Sequence, residues 1–333
     1  MSTDRSGTSP LPSQVVMVTG AGGPAGVSVI QALGKAGHRT VGVDASPDAV
    51  GIRLADFGGT LPRADDRGFG SALCDLGQEH SVTAVIPSVA EELVALAEAA
   101  PALDAAGIAH WFPKPDAVES CTDKWRFHQA VVAAGLPVPP TALGTADGVP
   151  GPWVVKPRHG RGSRDIHLTD DPTSIGRLVA EVPEAMVQHC LTGREFTIDV
   201  LADHSGALVA AVPRWRNETK AGISVRGETF GHDALIEGAG SLVDALGLTG
   251  PANIQGFVSE TGAFSFTEVN PRFSGGLPLS LGAGAELVEQ YLRGMLGYAL
   301  QPDRLGYRVG VRMYRYFDEI LEGPDSRSEP GPA

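Results

Sequence analysis

The segment from Phe264 to Gly276 constrains the fold and the chemistry of this 333-residue chain more than any other. Apolar and polar residues alternate along it, as they do in a half-buried β-strand. Because successive side chains of a strand point to opposite faces, Glu268, Asn270 and Arg272 are expected to share one face. Carboxylate and carboxamide oxygens are ligands that Mg²⁺ accepts, and a guanidinium can hold phosphate or carboxylate. A strand end with exposed polar residues is the alternative interpretation.

Composition argues against several classes of partner. The chain has 39 acidic and 26 basic residues, and its net charge of −13 argues against nucleic acid or an anionic membrane. No apolar run approaches the roughly 20 residues of a membrane helix. The three cysteines, Cys74, Cys121 and Cys190, show neither metal spacing nor a disulfide framework, so a cytoplasmic location is expected. Residues 1–13 and 323–333 are polar and are expected to be disordered tails.

The N-terminal part has a strand–turn–helix–strand pattern. Val15–Thr19 is apolar, Gly20–Gly26 is glycine-rich, and a helical run leads to a second strand that ends at Asp44. Further strands are predicted at Val82–Ile86 and Ile108–Phe112. The pattern predicts an open α/β domain with a parallel sheet. An acid after the second strand also fits a dinucleotide-dependent oxidoreductase, an alternative that the imperfect glycine fingerprint weakens.

A basic, glycine-containing hairpin is predicted in the middle of the chain, after a helix from Lys124 to Ala134. Its first strand, Gly151–Pro157, carries Lys156 near its end, and its second strand is Ile166–Leu168. Backbone amides of such a loop can wrap phosphates, although an exposed hairpin turn is the alternative. The loop contains three arginines together with Gly160, Gly162 and Ser163.

The C-terminal half is predicted to consist of strands and helices, with elements at Arg194–Leu201, Leu208–Val212, His232–Leu246 (a helix), Glu286–Leu296 (a helix) and Val309–Phe317. A hairpin of Gly250–Val258 and Phe264–Val269 is expected to bring Gln255 near Glu268 and Asn270. A basic stretch with little apolar content is expected to be a loop, either solvated or close to phosphate, and comprises Arg214, Arg216, Lys220 and Arg226.

The order of these motifs over residues 14–318 resembles the ATP-grasp superfamily. It is most similar to the branch that contains the large subunit of carbamoyl-phosphate synthase, in which Gly20–Gly26 has a counterpart at the start of the first domain. The resemblance implies an α/β fold with α+β character in the C-terminal half. It implies a Rossmann-like pre-ATP-grasp domain at 14–113, a central ATP-grasp subdomain with a phosphate flap at 114–186, and a C-terminal ATP-grasp subdomain with a metal site at 187–322.

The resemblance also implies ATP and Mg²⁺, or Mn²⁺, as cofactors. Phosphate contacts are expected from Lys124, Lys156, Gly160, Gly162 and Ser163. Adenine is expected at a hinge formed by Gln188, His189, Cys190 and Leu191, and the ribose hydroxyls at Glu195. The metal is expected at Gln255, Glu268 and Asn270. Many family members have an acid at the position of Gln188 and a carboxylate at that of Gln255, although the carbamoyl-phosphate branch resembles this chain at Gln255.

Members of this superfamily mostly activate a carboxylate as an acyl phosphate, which an amine then attacks. The resemblance therefore implies a carbon–nitrogen ligase that joins a small carboxylic acid, an amino acid in particular, to an amine. A single ATP-grasp unit favours this reaction over complete carbamoyl-phosphate synthesis. Contacts with the transferred phosphate or the substrate carboxylate are assigned to Arg272 and to the basic stretch of Arg214, Arg216, Lys220 and Arg226, with a surface charge as the alternative for each residue of the stretch.

Two other functions within the same family are open. A small-molecule carboxylate or carbamate kinase would stop at a phosphorylated product, and a non-catalytic regulator would bind ATP alone. The expected partners are a small-molecule carboxylate and an amine, without nucleic acid or membrane. A homodimer is expected because relatives commonly dimerise.

Overall fold

The structure, a computed structural model, describes residues 10–160 and 165–323 and arranges them around three β-sheets. In these two ranges, no helix is both long enough and apolar enough to cross a membrane. Three 3₁₀ turns occur within them, at Ala90–Glu92, Pro172–Ser174 and Pro302–Arg304.

The N-terminal part alternates strands and helices, in the order β1 (Val15–Thr19), α1 (Pro24–Lys35), β2 (Arg39–Asp44), α2 (Val50–Leu54), β3 (Phe57–Thr60), α3 (Phe69–Glu79), β4 (Ala84–Pro87) and α4 (Leu93–Ala105). Its four strands pair in parallel in the order β3-β2-β1-β4. The predicted strand–turn–helix–strand unit is confirmed, and its glycine-rich turn lies at the carboxyl end of β1. That edge is where open α/β sheets bind ligands.

The predicted strand Ile108–Phe112 is wrong. Ala109 alone exchanges backbone hydrogen bonds with the neighbouring strand, donating to Thr83 O at 2.9 Å and accepting from Val85 N at 3.0 Å. Continuing this ladder would need an N–H two residues further along β4, where Pro87 has none. The chain therefore makes a single bridge and leaves the sheet.

The central part contains α5 (Pro115–Thr122), α6 (Lys124–Ala133), β5 (Thr141–Leu143), β6 (Trp153–Pro157), β7 (His167–Thr169), α7 (Ile175–Glu181) and β8 (Ala185–His189). Its antiparallel sheet has the order β5-β8-β6-β7. Asp123 caps α6 by accepting hydrogen bonds from Trp125 N and Arg126 N, so Lys124 stands at a fixed helix start. The predicted hairpin is confirmed as β6 and β7.

The C-terminal part contains β9 (Arg194–Ala202), β10 (Leu208–Lys220), β11 (Ile223–Thr229), α8 (Asp233–Ala245), β12 (Gly250–Val258), β13 (Phe264–Asn270), α9 (Leu277–Gly282), α10 (Leu287–Met295) and β14 (Arg312–Tyr314). Its antiparallel sheet has the order β13-β12-β9-β10-β11-β14. The predicted hairpin of β12 and β13 is confirmed, with Gln255 opposite Glu268 and Asn253 opposite Asn270.

The basic stretch is not the loop that its composition predicted. It continues β10 to Lys220 and returns as β11 through a turn at Ala221 and Gly222, which both have positive φ. Arg214 lies in the buried middle of β10, where an ion pair with Asp199 replaces the solvent that a loop would provide. A low apolar content therefore did not exclude a strand here.

A hydrophobic core joins the N-terminal sheet to the C-terminal part. Val18 of β1 and Tyr291 of α10 belong to it, and Tyr291 Oη donates a hydrogen bond to Trp111 O. The glycine-rich turn consequently lies beside the segment that follows β13: a Cβ added to Gly275 would be 3.1 Å from Pro24 Cγ. Packing thus brings the carboxyl edge of the N-terminal sheet close to the segment that follows β13 in the C-terminal part.

Candidate functional site

Two lysines and a carboxylate meet where the central part faces the C-terminal sheet. Lys124 starts α6, and its Nζ donates to Gly160 O at 2.7 Å. Lys156 lies near the end of β6, and its Nζ donates to Gln188 Oε1 at 2.9 Å. Glu268 of β13 interacts electrostatically with both ammonium groups. We call Lys124, Lys156 and Glu268 the lysine cluster.

Burial lowers the pKa of both lysines in this cluster. For Lys156, which is 8% exposed, burial together with the positive charge of Lys124 lowers the pKa to about 8, and Glu268 acts in the opposite direction. Burial likewise lowers the pKa of Lys124, whereas Glu268 and Asp123 act to raise it. Glu268 is the carboxylate that both cations share, and Asp123 is already paired with Arg158, so an additional anion would stabilise the charged forms of the lysines.

Gln188, predicted as part of the adenine hinge, directs its side chain to the lysine cluster. Its Oε1 accepts from Lys156, and its Nε2 donates to Thr141 Oγ1 at 2.9 Å. Both ends of this buried carboxamide are therefore engaged by protein groups. A carboxylate at this position would pair with Lys156, whereas the neutral carboxamide adds no negative charge to that of Glu268.

The backbone of the predicted hinge is partly occupied as well. His189 N donates to Pro140 O at 2.9 Å, and Cys190 N donates to Pro152 O at 2.8 Å. Leu191 N donates to no backbone acceptor among residues 10–160 and 165–323. Of these three predicted contacts, the Leu191 amide is the donor best placed to remain available to a base.

Arg216 connects the predicted ribose residue with a predicted metal ligand. Its Nη1 donates to Glu195 Oε1 and to Gln255 Oε1, the latter at 3.1 Å, and its Nη2 donates to Gly222 O at 2.7 Å. Burial raises the pKa of Glu195, Arg216 opposes that shift, and Glu268 adds to it. The arginine therefore holds Glu195 in place and keeps its charge partly balanced.

The three predicted metal ligands lie together at one end of the β12–β13 hairpin. Gln255 and Glu268 are register partners, and Asn270 Nδ2 donates to Glu268 Oε1 at 2.8 Å. In the described part of the chain, no group of three His, Cys, Asp or Glu side chains could hold a metal. One carboxylate and two carboxamides fit Mg²⁺ or Mn²⁺ that takes further oxygen ligands from phosphate and water.

Arg272 lies just beyond this hairpin. Because β13 ends at Asn270, the strand alternation that predicted a shared face covers Glu268 and Asn270 but not Arg272. Arg272 N donates to Asn270 O at 2.8 Å, which turns the chain, and its guanidinium donates to Phe273 O at 3.0 Å. The half-buried guanidinium therefore follows the metal residues through a turn rather than along the strand.

The burial of Arg214 argues against its predicted contact with phosphate or substrate. It is 1% exposed and forms a two-pronged ion pair with Asp199, at 2.9 Å from Nε to Oδ2 and 3.0 Å from Nη2 to Oδ1. Its Nη2 also donates to Ser274 Oγ at 3.0 Å. Gly276 covers the guanidinium so closely that an added Cβ would lie 2.8 Å from Cζ. Arg214 is thus sealed under the segment after β13.

The other two basic residues of the predicted catalytic set lie at the surface. Lys220 is exposed beside the β10–β11 turn, and its side chain forms no hydrogen bond or ion pair with any described residue. Arg226 is 63% exposed and pairs with Glu218 at 3.2 Å. No contact within the described ranges joins Arg226 to Glu268, so the structure does not bring these predicted residues together.

The predicted flap is described at its first residue. Gly160 has a φ of +131°, in a region that favours glycine, and this conformation presents its carbonyl to Lys124. Gly162 and Ser163 lie outside the described residues, and their phosphate contacts stay a prediction.

The glycine-rich turn of the N-terminal part uses Asp44 internally. Asp44 Oδ2 accepts from Gly22 N at 2.8 Å, and Oδ1 accepts from Ser46 N at 2.9 Å. A dinucleotide site would need this carboxylate for a ribose. Because Asp44 already accepts hydrogen bonds within the turn, the oxidoreductase alternative keeps only the imperfect glycine fingerprint of Gly20–Gly26 as support.

Two side chains near the site were missed in the sequence. Asn253 lies two residues before Gln255, so strand alternation placed it on the same face and could have identified it. Arg315 donates to Gly275 O and, at 3.0 Å, to Ser224 O. It follows β14, which is shorter than the predicted strand Val309–Phe317, and no local pattern indicates its long-range contacts.

Two family models match separate parts of the chain. Residues 16–110 match the PylC-like N-terminal domain, and residues 181–314 match a family described as ATP-grasp in the biosynthetic pathway with Ter operon. The carbamoyl phosphate synthase large chain of Vibrio cholerae serotype O1 is 27% identical over 264 residues. That match covers 68% of this chain and 24% of the relative, so the chain spans a minor part of the relative's length.

Solved structures show the same fold. The biotin carboxylase domain dimer of Hydrogenobacter thermophilus 2-oxoglutarate carboxylase, in complex with MgADP, ADP and bicarbonate, superposes with a TM-score of 0.68 at 19% identity, covering 86% of this chain and 70% of that one. The L-amino acid ligase of Bacillus licheniformis gives a TM-score of 0.67 at 17% identity, covering 87% and 76%. The chain thus has the fold of these ATP-grasp structures, with a region similar to an ATP-grasp family at residues 181–314 and a region similar to the PylC-like N-terminal domain at residues 16–110.

Proposed function

We propose that the chain is an ATP-dependent carbon–nitrogen ligase that activates a small carboxylic acid, an amino acid in particular, and couples it to an amine. The observation that carries the proposal is the lysine cluster, in which Glu268 is the carboxylate that acts on both Lys124 and Lys156. Asp123 also acts on Lys124, but it is paired with Arg158. A polyphosphate would supply the missing negative charge and accept hydrogen bonds from both ammonium groups.

The remaining nucleotide contacts follow from groups that flank the cluster. The base would accept a hydrogen bond from Leu191 N, which is free of backbone partners within the described ranges. The ribose hydroxyls would donate to Glu195, whose carboxylate Arg216 already holds in place. A carboxylate fixed before the ligand arrives loses less conformational freedom on binding.

Gln255, Glu268 and Asn270 would hold Mg²⁺ or Mn²⁺. When bound, the metal would neutralise charge that develops on the phosphate oxygens. Arg272, which follows Asn270 through a turn, would stabilise the transferred phosphoryl group or the acyl phosphate.

In the proposed reaction, a carboxylate oxygen attacks the γ-phosphorus, and the bond to the bridging oxygen of ADP breaks. The amine then attacks the acyl carbon, and the bond from that carbon to the bridging oxygen breaks. Phosphate leaves with this oxygen, which came from the carboxylate, and the amine nitrogen loses a proton. Lys156 would stabilise the charge spread over the phosphoryl oxygens. Water must be excluded because an acyl phosphate hydrolyses, and the loop that begins at Arg158 is the proposed cover.

The comparisons support this proposal through chemistry that the names of similar proteins state. The L-amino acid ligase has the same fold, and the Hydrogenobacter domain binds MgADP as a dimer. A homodimer and a cytoplasmic location remain parts of the proposal for this chain. The similarity to carbamoyl phosphate synthase favours a second candidate, a kinase that stops at a carboxyl or carbamoyl phosphate.

ADP release with ATP and Mg²⁺ should be measured across a matrix of amino acids and other carboxylates against amines, with mass analysis of the products. The ligase proposal expects release that needs both partners and a product lighter than their sum by one water. Release with a carboxylate alone and a stable phosphorylated product would select the kinase.

Two variants separate catalysis from binding. Glu268→Ala removes the carboxylate of the cluster and should abolish turnover, whereas Glu260→Ala changes an exposed residue of the β12–β13 turn and should not. If wild type shows no turnover with any pair and Glu268→Ala leaves its ATP affinity unchanged, the regulator interpretation replaces the ligase.

A further inference from the structure

The carboxamide of Gln255 is held at both ends by protein groups. Its Nε2 donates to Asn253 Oδ1 at 3.2 Å, and its Oε1 accepts from Arg216 Nη1 at 3.1 Å. A carboxamide differs from a carboxylate in this respect, because only one of its two ends can bind a metal. Whatever fixes its rotation therefore decides whether oxygen or nitrogen faces the proposed metal.

Asn253 is in turn oriented by two side chains of β9. It is 2% exposed, and its Nδ2 donates to Thr197 Oγ1 and, at 3.1 Å, to Asp199 Oδ1. A rotated Asn253 would turn its carbonyl oxygen towards the Asp199 carboxylate and its amino group towards the amino group of Gln255. Both contacts would be repulsive, so the carboxylate selects one rotamer of Asn253 and Asn253 selects one of Gln255.

Asp199 is kept ionised despite its burial. Burial alone would raise its pKa, but Arg214 and the hydroxyls of Ser280 and Ser274 hold that pKa below its ordinary value. Arg214 contributes two hydrogen bonds, and Ser280 Oγ donates a further one at 2.5 Å. The carboxylate therefore acts as an acceptor towards Asn253 and does not donate to it.

We propose that Asp199 and Asn253, anchored by Arg214, are positioning residues that turn the Gln255 carboxamide oxygen towards the nucleotide-bound metal. This inference rests on the proposed function, since it assumes that Gln255 is a metal ligand. It explains how a carboxamide serves at a position where many relatives have a carboxylate: the buried ion pair specifies its orientation. It also gives the sealed Arg214 a role that involves no contact with substrate.

Asn253 is the residue to change, because Arg214 also holds Ser274 and the segment after β13. Binding of Mn²⁺ in the presence of the non-hydrolysable analogue AMP-PNP should be measured by electron paramagnetic resonance. Removing a group that orients a metal ligand weakens metal binding by about 10-fold to 100-fold, and Asn253→Ala should do so here. Asn217→Ala, a matched change at an exposed position of β10, should leave Mn²⁺ affinity within about twofold of wild type.

A second background separates orientation from general damage. A glutamate at 255 presents oxygen whichever way it rotates, so adding Asn253→Ala to Gln255→Glu should weaken Mn²⁺ binding by no more than about twofold. Loss of stability from the same cavity would occur in both backgrounds and cannot produce this difference. Asn253→Ser, which keeps a polar atom in the buried space but cannot span to Gln255, is the second variant if Asn253→Ala does not fold.

The outcomes distinguish this inference from the proposed function. Wild type that binds AMP-PNP but takes up no Mn²⁺ would overturn the proposed metal site and the inference with it. Wild type that binds Mn²⁺, together with an Asn253→Ala variant of equal affinity, would overturn the inference and leave the proposed function intact. An equal loss from Asn253→Ala in both backgrounds would also overturn it, because the effect would not depend on carboxamide orientation.

Discussion

Two buried cationic centres of this protein differ in how their charge is balanced. The charge of Arg214 is balanced by Asp199, with two hydrogen bonds to the carboxylate and a third from Nη2 to Ser274, while the buried Nη1 has no hydrogen-bond partner among the described residues. Lys156 has a neutral partner in Gln188 and shares Glu268 with Lys124. Burial lowers the pKa of Lys156 to about 8, whereas the Asp199 carboxyl stays below its ordinary pKa because of Arg214.

This difference in charge balance favours the lysine cluster over the Arg214 pair as the centre that binds an anionic ligand. A fully paired buried charge contributes to a specific arrangement of its neighbours and gains nothing from a further anion. An under-compensated buried cation is costly to the free protein and becomes favourable when an anion arrives. Replacing a member of the first centre should therefore cost stability, and replacing a member of the second should cost activity.

The largest effect on stability is expected from Asp199→Asn. This change leaves the Arg214 guanidinium buried without its carboxylate, and breaking a buried pair costs about 3–5 kcal/mol of unfolding free energy. Urea denaturation of the variant against wild type measures it. Glu218→Gln, the matched change in the exposed pair with Arg226, should cost less than about 1 kcal/mol. Equal costs for the two variants would show that burial does not distinguish these pairs.

Lys156→Met should show the opposite pattern. Loss of one positioned cation at a transferring phosphoryl group is expected to lower kcat about 100-fold or more. The unfolding free energy should stay the same or rise, because an apolar chain of similar length removes an under-compensated buried charge. Lys35→Met, at the exposed last residue of α1, is the control and should change neither quantity. A Lys156→Met variant with wild-type kcat would remove the lysine cluster from the mechanism.

The lowered pKa of Lys156 makes nucleotide binding sensitive to pH. Above about pH 8 the free protein loses this proton, so the affinity for AMP-PNP should fall, by at most tenfold for each pH unit. Stability should rise between about pH 8 and the ordinary lysine value of 10.5, since the unfolded chain binds more protons there. Titrations of AMP-PNP from about pH 7 to about pH 9.5 measure the first effect. Lys156→Arg keeps its charge and should flatten the dependence; an equally steep profile in that variant would assign it to another group.

Much of the fold was predictable because its signals are local. The β12–β13 hairpin, the opposition of Gln255 and Glu268, and the helix that starts at Lys124 follow from alternation, a turn and a cap. The family resemblance added the order of the motifs, and the matched regions agree with it at residues 16–110 and 181–314. These features depend on residues close together in the sequence, so a single chain is enough to read them.

The rest of the site depends on contacts between distant strands. No spacing shows that Arg214 is aimed at Asp199 or that Asp199 orients Asn253, because those partners lie on β10, β9 and β12. The prediction for the basic stretch was wrong for the same reason, because nothing in the sequence distinguishes its four charged residues from one another. The structure distributes them between a buried pair, a contact of Arg216 with Glu195, and the surface.

The smallest effect is expected where that basic stretch reaches the surface. Arg226→Ala removes one side of an exposed ion pair, so it should change unfolding free energy by no more than about 1 kcal/mol and kcat/KM by no more than about twofold. Arg216→Ala, on the same hairpin, removes the contacts with Glu195 and Gln255 and should weaken AMP-PNP binding about tenfold, as the loss of a charged hydrogen bond does. Assays of both variants side by side test the division between surface and site. Loss of turnover in Arg226→Ala would mean that substrate approaches from the exposed face of β10 and β11. It would also show that the balance of charge around an arginine does not predict whether that arginine serves stability or activity.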